Sequence, residues 1–274
     1  MAVGIGQRAL VRFCLSRHFR GKTRLENWLI DRVPLRLQHP FGFDIELDGD
    51  DSAERNWYFR CAEPDTARFF RSLLRPGMTF FDCGAHIGFY TLLAAERGCT
   101  TVAFEPTPDT FERLCRNVAI NVFSAVDCRQ EALSDETGIA QIFGFPDSGS
   151  GMNTLSHGDA LAECKVVRID DLDLPPPDVM KIDVEGSEVS LLHGAAETIR
   201  RHRPVIVIEV SGTTAAYFGQ VADDIIEAVY SLGDWRMLYL WGRHPIEITD
   251  RSLPHTDRLG PMHGWNYAFI PRDH

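Results

Sequence analysis

No run of about 18 apolar residues occurs in this chain of 274, so no membrane-spanning helix is expected. The seven cysteines (14, 61, 83, 99, 115, 128, 164) are odd in number and scattered. They form no C-x-x-C pair and no zinc spacing, which leaves no basis for a disulfide framework or a zinc site. They read as small buried hydrophobes in a reducing cytoplasm. Positive charge is short as well: 28 Lys and Arg stand against 39 Asp and Glu, a formal net of -11. That balance argues against a general nucleic-acid binder. The acids between Asp44 and Asp51 lack the EF-hand pattern and read as a solvated turn. Arginines interrupt every candidate apolar core near the start, so no signal peptide is expected. There is no internal repeat and no low-complexity linker.

A hydrophobic content of 44% and a charged content of 24% suit a soluble globular protein with one sizeable core. Charge is uneven along it. Residues 1–36 hold eight of the bases and two of the acids. Apolar residues from Ile5 to Ile30 mix with those bases, so one or two basic amphipathic helices fit. Such helices either pack on the main domain or dock an anionic membrane surface or an acidic substrate. Residues 1–60 therefore read as a basic helical and β extension, and residues 61–274 as the main domain.

The main domain is organised around residues 79–91. A short apolar run ends in Asp82, followed by Gly84, Gly88 and an apolar stretch through Ala95, which reads as strand, glycine turn and helix. A dinucleotide fingerprint would need glycine where His86 and Phe89 stand. The pattern Asp82-x-Gly84-Ala85-x-x-Gly88 instead suits a nucleoside cofactor without phosphate, of which S-adenosylmethionine (SAM) is one. A second apolar run, Thr101–Phe104, closes on Glu105, 21 residues after Gly84. That is close to the offset of about 20 at which an acid meets ribose hydroxyls in βαβ nucleotide sites.

The rest of the chain alternates. Helices are expected over 64–75, 107–122, 187–201 and 221–232. Strands are expected near 41–60, 126–131, 178–185, 205–210, 235–241 and 265–270. Residues 138–168 read as a β-hairpin whose tip, Ser148–Met152, is a mobile glycine-rich loop or a lid. The stretch Lys181-Ile-Asp183-Val-Glu185 puts three charges on one face of an expected buried strand. Such charges are costly unless paired or functional. Alternation of this kind gives a mostly parallel sheet with helices on both faces, with the ligand at the carboxyl ends of its strands. Asp82, Glu105, Glu131, Asp183 and Glu209 all fall at expected strand ends.

These residues resemble the FkbM family of SAM-dependent methyltransferases. The likeness lies in Pro76-Gly77, Asp82 through Thr91, Phe104-Glu105-Pro106, Glu131 through Ser134, Lys181 through Gly186 with Glu188, Pro204 through Glu209, and Asn266-Tyr267. It covers roughly residues 56–271, and Lys181 to Glu188 is its most family-specific part. His86 departs from it, since asparagine is usual there. So does Cys61-Ala62-Glu63-Pro64, where an aromatic residue often precedes the Glu-Pro. The resemblance implies a class I methyltransferase fold, a Rossmann-like seven-stranded sheet, and O-methylation of a hydroxyl on a sugar, glycan or polyketide-type natural product. By the same likeness Gly84, Ala85, His86 and Gly88 would line the methionine end of the cofactor, Glu105 would hold the ribose, and Glu131 with Ala132 would flank the adenine. Asp82, Thr91, Pro106 and Asp183 are further cofactor-binding candidates.

An alcohol needs a base, and Asp183 and Glu185 are the candidates, with Lys181 steadying them or pairing with substrate. The alternative is that Asp183 only orients the cofactor and Glu185 pairs with an arginine. No metal ligand set is assigned, although a metal bridging these acids to two acceptor hydroxyls stays open. A non-catalytic SAM-binding or scaffold protein and a nicotinamide-dependent oxidoreductase are the rival functions.

Overall fold

The structure is a computed structural model that describes residues 36–47, 63–123, 125–144, 153–156, 158–250 and 266–272. The basic amphipathic segment, the acidic turn near Asp48 and the tip Ser148–Met152 lie outside those residues. In chain order the elements begin with β1 (Arg36–Gln38), β2 (Asp44–Glu46), α1 (Pro64–Leu73), β3 (Thr79–Cys83) and α2 (Phe89–Glu96). Next come β4 (Thr100–Phe104), α3 (Pro108–Ala119), β5 (Val126–Arg129), β6 (Glu131–Leu133), β7 (Gly138–Gly144) and β8 (Asp159–Val167). Then follow β9 (Val179–Ile182), α4 (Glu188–Gly194), α5 (Ala196–His202), β10 (Val205–Glu209) and α6 (Gly212–Ala215). The last are α7 (Ala222–Ser231), β11 (Trp235–Tyr239), β12 (Ile246–Ile248) and β13 (Asn266–Pro271).

The main sheet runs β12-β11-β13-β10-β9-β3-β4-β5. The five strands from β10 to β5 are parallel to their neighbours. Strand β13 is antiparallel to β10 and β11. The sheet is thus mostly parallel, as expected, and short β12 adds an eighth strand at its edge. Because side chains alternate along a strand, Phe80 and Phe81 enter different cores. Phe80 joins α1 and α2 on one face, and Phe81 joins α4, α5 and α7 on the other. The strand order reverses between β3 and β9, which opens a crevice at their carboxyl ends.

Three expectations are corrected. The helix foreseen over 187–201 is two helices, α4 and α5, broken at Ala195. Gly194 lies so near β6 that a Cβ there would sit 1.9 Å from the Ser134 carbonyl oxygen. The strand foreseen through Glu185 stops at Ile182, and Glu185 turns into a left-handed conformation with φ 52°. Glu131 does not end a main-sheet strand. The chain leaves that sheet at Arg129, and Glu131 opens β6 of a separate three-stranded sheet, β6-β8-β7. Of the strands foreseen near 41–60, the described part is β2, which pairs with β1.

That β1–β2 hairpin is joined to the main core. Phe43, Ile45 and Leu47 are buried with residues of α1, α2 and β3. Asn117 and Asn121 on α3 stitch it down. The Glu46 amide donates to Asn117 Oδ1 at 2.7 Å and the Asp44 amide to Asn121 Oδ1 at 2.8 Å. Asn117 Nδ2 in turn donates to the Ile87 carbonyl at 2.8 Å, so one side chain ties the hairpin to the glycine turn.

Candidate active site

The turn after β3 is built by close backbone approach. Gly84 has φ +86°, and a Cβ on it would lie 1.8 Å from the Asp183 carbonyl oxygen, so no other residue fits. The Gly84 and Ala85 amides donate to the Phe104 carbonyl at 3.0 and 2.8 Å, which locks the turn to the end of β4. His86 also adopts positive φ, 50°. Its amide donates to Glu105 Oε2 at 3.0 Å, while the Thr107 amide donates to Oε1 at 2.9 Å. Burial pushes the Glu105 carboxyl up to about 7 against the pull of those bonds. Each carboxylate oxygen keeps a further lone pair, enough to accept two adjacent hydroxyls.

At the floor of the crevice, Asp82, Lys181, Asp183, Glu209 and Asn266 share one face. Asp82 pairs with Lys181 across β3 and β9, and Glu209 with Asn266 across β10 and β13. The Thr91 hydroxyl donates to Asp82 Oδ2 at 2.6 Å, and Asp82 Oδ1 is buried without a hydrogen-bond partner. Lys181, only 2% exposed, donates to Asp183 Oδ2 at 2.7 Å and lies 4.9 Å from the centre of the Tyr90 ring. Burial works against its charge, but Asp183, Glu63 and Asp82 more than offset that and hold its pKa above the usual lysine value.

Sequence reasoning missed three members of this network. Glu63, in a left-handed conformation just before Pro64, accepts from the Tyr90 hydroxyl at 2.5 Å and from Asn266 Nδ2 at 2.7 Å. Glu63, Tyr90 and Asn266 come from three distant parts of the chain. Only the Glu-Pro at a helix start and the Asn-Tyr in the last strand hinted at them. Glu209 was noticed as a strand end and given no role.

Glu185 stands at the lip of the crevice. Its carboxyl is pushed up to about 9, first by burial and then by Asp183 and Glu188. Thr154, from the β7–β8 connection, donates to the Glu185 carbonyl at 3.0 Å and fixes the turn. Glu188 Oε1 accepts the Val184 and Gly186 amides, both at 3.2 Å, and burial lifts its carboxyl to about 7. One oxygen each from Asp183, Glu185 and Glu209 lies within 4.8 Å of the others.

Of the expected site residues, the turn from Gly84 to Gly88 meets Glu105, and Asp82, Thr91, Lys181, Asp183 and Glu185 gather beside it. Pro106 lies between Glu105 and Thr107. Glu131 and Ala132 belong to the flank. Glu131 accepts from Arg129 Nε at 2.8 Å and Lys165 Nζ at 2.7 Å. Burial would raise its carboxyl, and those two cations outweigh it, so the net shift is downward. Ala132 packs its methyl into the core of the small sheet with Ile142, Cys164 and Val166.

The crevice therefore gathers five carboxylates, Glu63, Asp82, Asp183, Glu185 and Glu209, around one lysine. Such a lining suits a ligand that carries positive charge and no phosphate. SAM, whose ammonium and sulfonium together outweigh its one carboxylate and whose ribose is uncharged, fits that donor set.

A family model described as the methyltransferase FkbM domain matches residues 82–240. The chain belongs to the FkbM methyltransferase family. SAM is the cofactor that goes with this family. AglP, a hexuronic acid methyltransferase of Haloferax volcanii, is 28% identical over 162 residues, 57% of this chain and 66% of that protein. The 31-O-demethyl-FK506 methyltransferase FkbM of Streptomyces tacrolimicus is 41% identical over 100 residues, 35% of this chain and 36% of its own. The solved methyltransferase FkbM from Methylobacillus flagellatus KT superposes with a TM-score of 0.46 at 20% identity, covering 80% of this chain and 53% of that one. The matches thus span 66%, 36% and 53% of those proteins' own lengths. Glu63 and Asn266 lie outside the span matched to the FkbM domain, yet they complete the network around Lys181. Among the described residues no helix is long and apolar enough to cross a membrane.

Proposed function

We propose that this FkbM-family chain transfers a methyl group from SAM to a hydroxyl oxygen of a small molecule, of sugar, glycan or polyketide type. The observation that carries this is the meeting of the glycine turn with the charged end of β9, where Gly84 touches Asp183. The names of two relatives, one acting on a hexuronic acid and one on an FK506 precursor, support an oxygen acceptor of this kind. The surplus of carboxylates favours a neutral hydroxyl over an acceptor that is itself a carboxylate.

SAM supplies a methyl carbon already activated by its positive sulfur. In this reading Asp82, Gly84, Ala85, His86, Gly88 and Thr91 cradle its methionine end, with Asp183 beside it. Glu105 and Pro106 meet the ribose, and Glu131 and Ala132 flank the adenine. The remaining chemistry belongs to the acceptor, whose oxygen must stand in line with the methyl at roughly 3 to 3.5 Å. As its oxygen bonds to the methyl carbon, the hydroxyl proton must leave. Asp183, ion-paired with Lys181 at 2.7 Å, takes it, and Glu185 shares the load once a cation in the crevice lowers its raised pKa. A positioned base of this kind is worth about 10² to 10⁴-fold in rate.

The test is SAM calorimetry together with a panel of hydroxylated acceptors. Asp183→Asn and Glu185→Gln are expected to bind SAM within about threefold of the parent and to lose turnover by the factor above. Parental rates in both variants would remove the assigned base. Absence of SAM binding would remove the function.

A further inference from the structure

The carboxylates of Glu185 and Glu209 form no hydrogen bond and no ion pair with any described residue, although among those residues Lys181 stands in the same crevice. Lys181 is already committed to Oδ2 of Asp183. A second observation, independent of these acids, points the same way. Asn266 is 1% exposed, and its Oδ1 is buried without a hydrogen-bond partner. Its Nδ2 donates to Glu63, which fixes which end of the amide is oxygen. Asn266 pairs directly with Glu209 across β10 and β13, and directly paired residues project from the same face of a sheet. So an amide oxygen stands on the face that carries Glu209, next to a trio of carboxyls whose ionised forms only accept. A buried acceptor left unsatisfied is costly, more so when charged.

We propose that Asp183, Glu185, Glu209 and Asn266 form a binding site for one divalent cation of the Mg²⁺ or Mn²⁺ class. All four donors are hard oxygens, the set that suits Mg²⁺, Ca²⁺ and Mn²⁺ rather than zinc or copper. Three of the donors sit on the strand ends of β9, β10 and β13. The fourth, Glu185, is held in its turn by Thr154. The ion's use rests on the methyltransferase reading: beside the bases, it would hold the acceptor hydroxyl and favour loss of its proton. Its binding does not depend on that reading.

The experiment strips the full chain with chelator and titrates it with MnCl₂ alone, following free Mn²⁺ by electron paramagnetic resonance. One bound ion per chain is expected, displaced by MgCl₂. Glu209→Gln, Glu185→Gln and Asn266→Ala should each weaken binding by about tenfold or more. Glu185→Gln breaks no hydrogen bond among the described residues, so it stays informative if the strand variants fail to fold. Absence of Mn²⁺ binding, or parental affinity in Glu185→Gln and in whichever of the other two folds, overturns the site. SAM calorimetry on the same metal-free chain separates the two readings. SAM binding without Mn²⁺ binding overturns the ion site alone, and Mn²⁺ binding without SAM binding overturns the proposed function alone.

Discussion

Replacing Lys181 by Met keeps most of the side-chain volume and removes the one cation buried among Asp82, Asp183 and Glu63. Its ammonium lies 2.7 Å from Asp183 and is almost wholly buried. Removing one partner of a buried pair costs about 3 to 5 kcal/mol, because the other charge is left uncompensated. For a chain of this size that corresponds to a fall in Tm of roughly 6 to 20 °C. The sign of the pH dependence follows. Without the lysine, the carboxyls of Glu63 and Asp82, which burial already raises and Lys181 draws down, rise further above their unfolded values. The penalty is then full at alkaline pH and fades as pH falls and the folded carboxyls take up protons. Thermal unfolding followed by circular dichroism at about pH 8 and about pH 5 reads both effects. The gap between parent and variant should narrow at the lower pH, and Lys181→Met with Asp183→Asn should recover part of the loss. A Tm within about 2 °C of the parent at both pH values would refute the reasoning, since the lysine would then be compensating nothing.

Gly84→Ala should abolish SAM binding and lower Tm, because its Cβ would fall 1.8 Å from the Asp183 carbonyl at a positive φ; calorimetry and a melting curve check this. The parent without cofactor should lose stability as pH rises. Glu105 and Glu188 hold their protons up to about 7 and Glu185 up to about 9, against an ordinary 4.5, so the folded chain binds more protons than the unfolded one across that window. Each such group removes up to about 1.4 kcal/mol per pH unit, and urea midpoints measured from acid to alkaline pH should decline accordingly. A midpoint that rises with pH would contradict the assignment.

The sheet was legible because its signals are local. Each parallel strand is a short apolar run, each helix a periodic stretch, and the glycine turn with Asp82 and Glu105 occupies one βαβ unit. The charged run from Lys181 to Glu185 was also visible, because charge is out of place in a strand buried on both faces. What escaped was assembly at long range. Glu63 and Asn266 are 203 residues apart in the chain and 2.7 Å apart in space, and nothing in either neighbourhood announces the other. The turn at Glu185 escaped for another reason. Period-two reasoning carried the strand past Ile182, although Gly186 already marked the break. Glu131 was misplaced because the chain changes sheets within one residue, at Gln130, without interrupting its extended conformation.

The double bridge of Asn117 reaches beyond packing. A fragment starting at residue 61, where composition alone would cut, would discard the hairpin and leave that amide oxygen without its donor. It would also bare the aromatic cluster around Phe89 that Phe43 covers. The bond from the same side chain to Ile87 would then hang from an unbraced helix, so the glycine turn proposed to receive the cofactor would slacken from behind. Trimming the front of this protein is therefore expected to damage the proposed cofactor site without touching a single residue assigned to it.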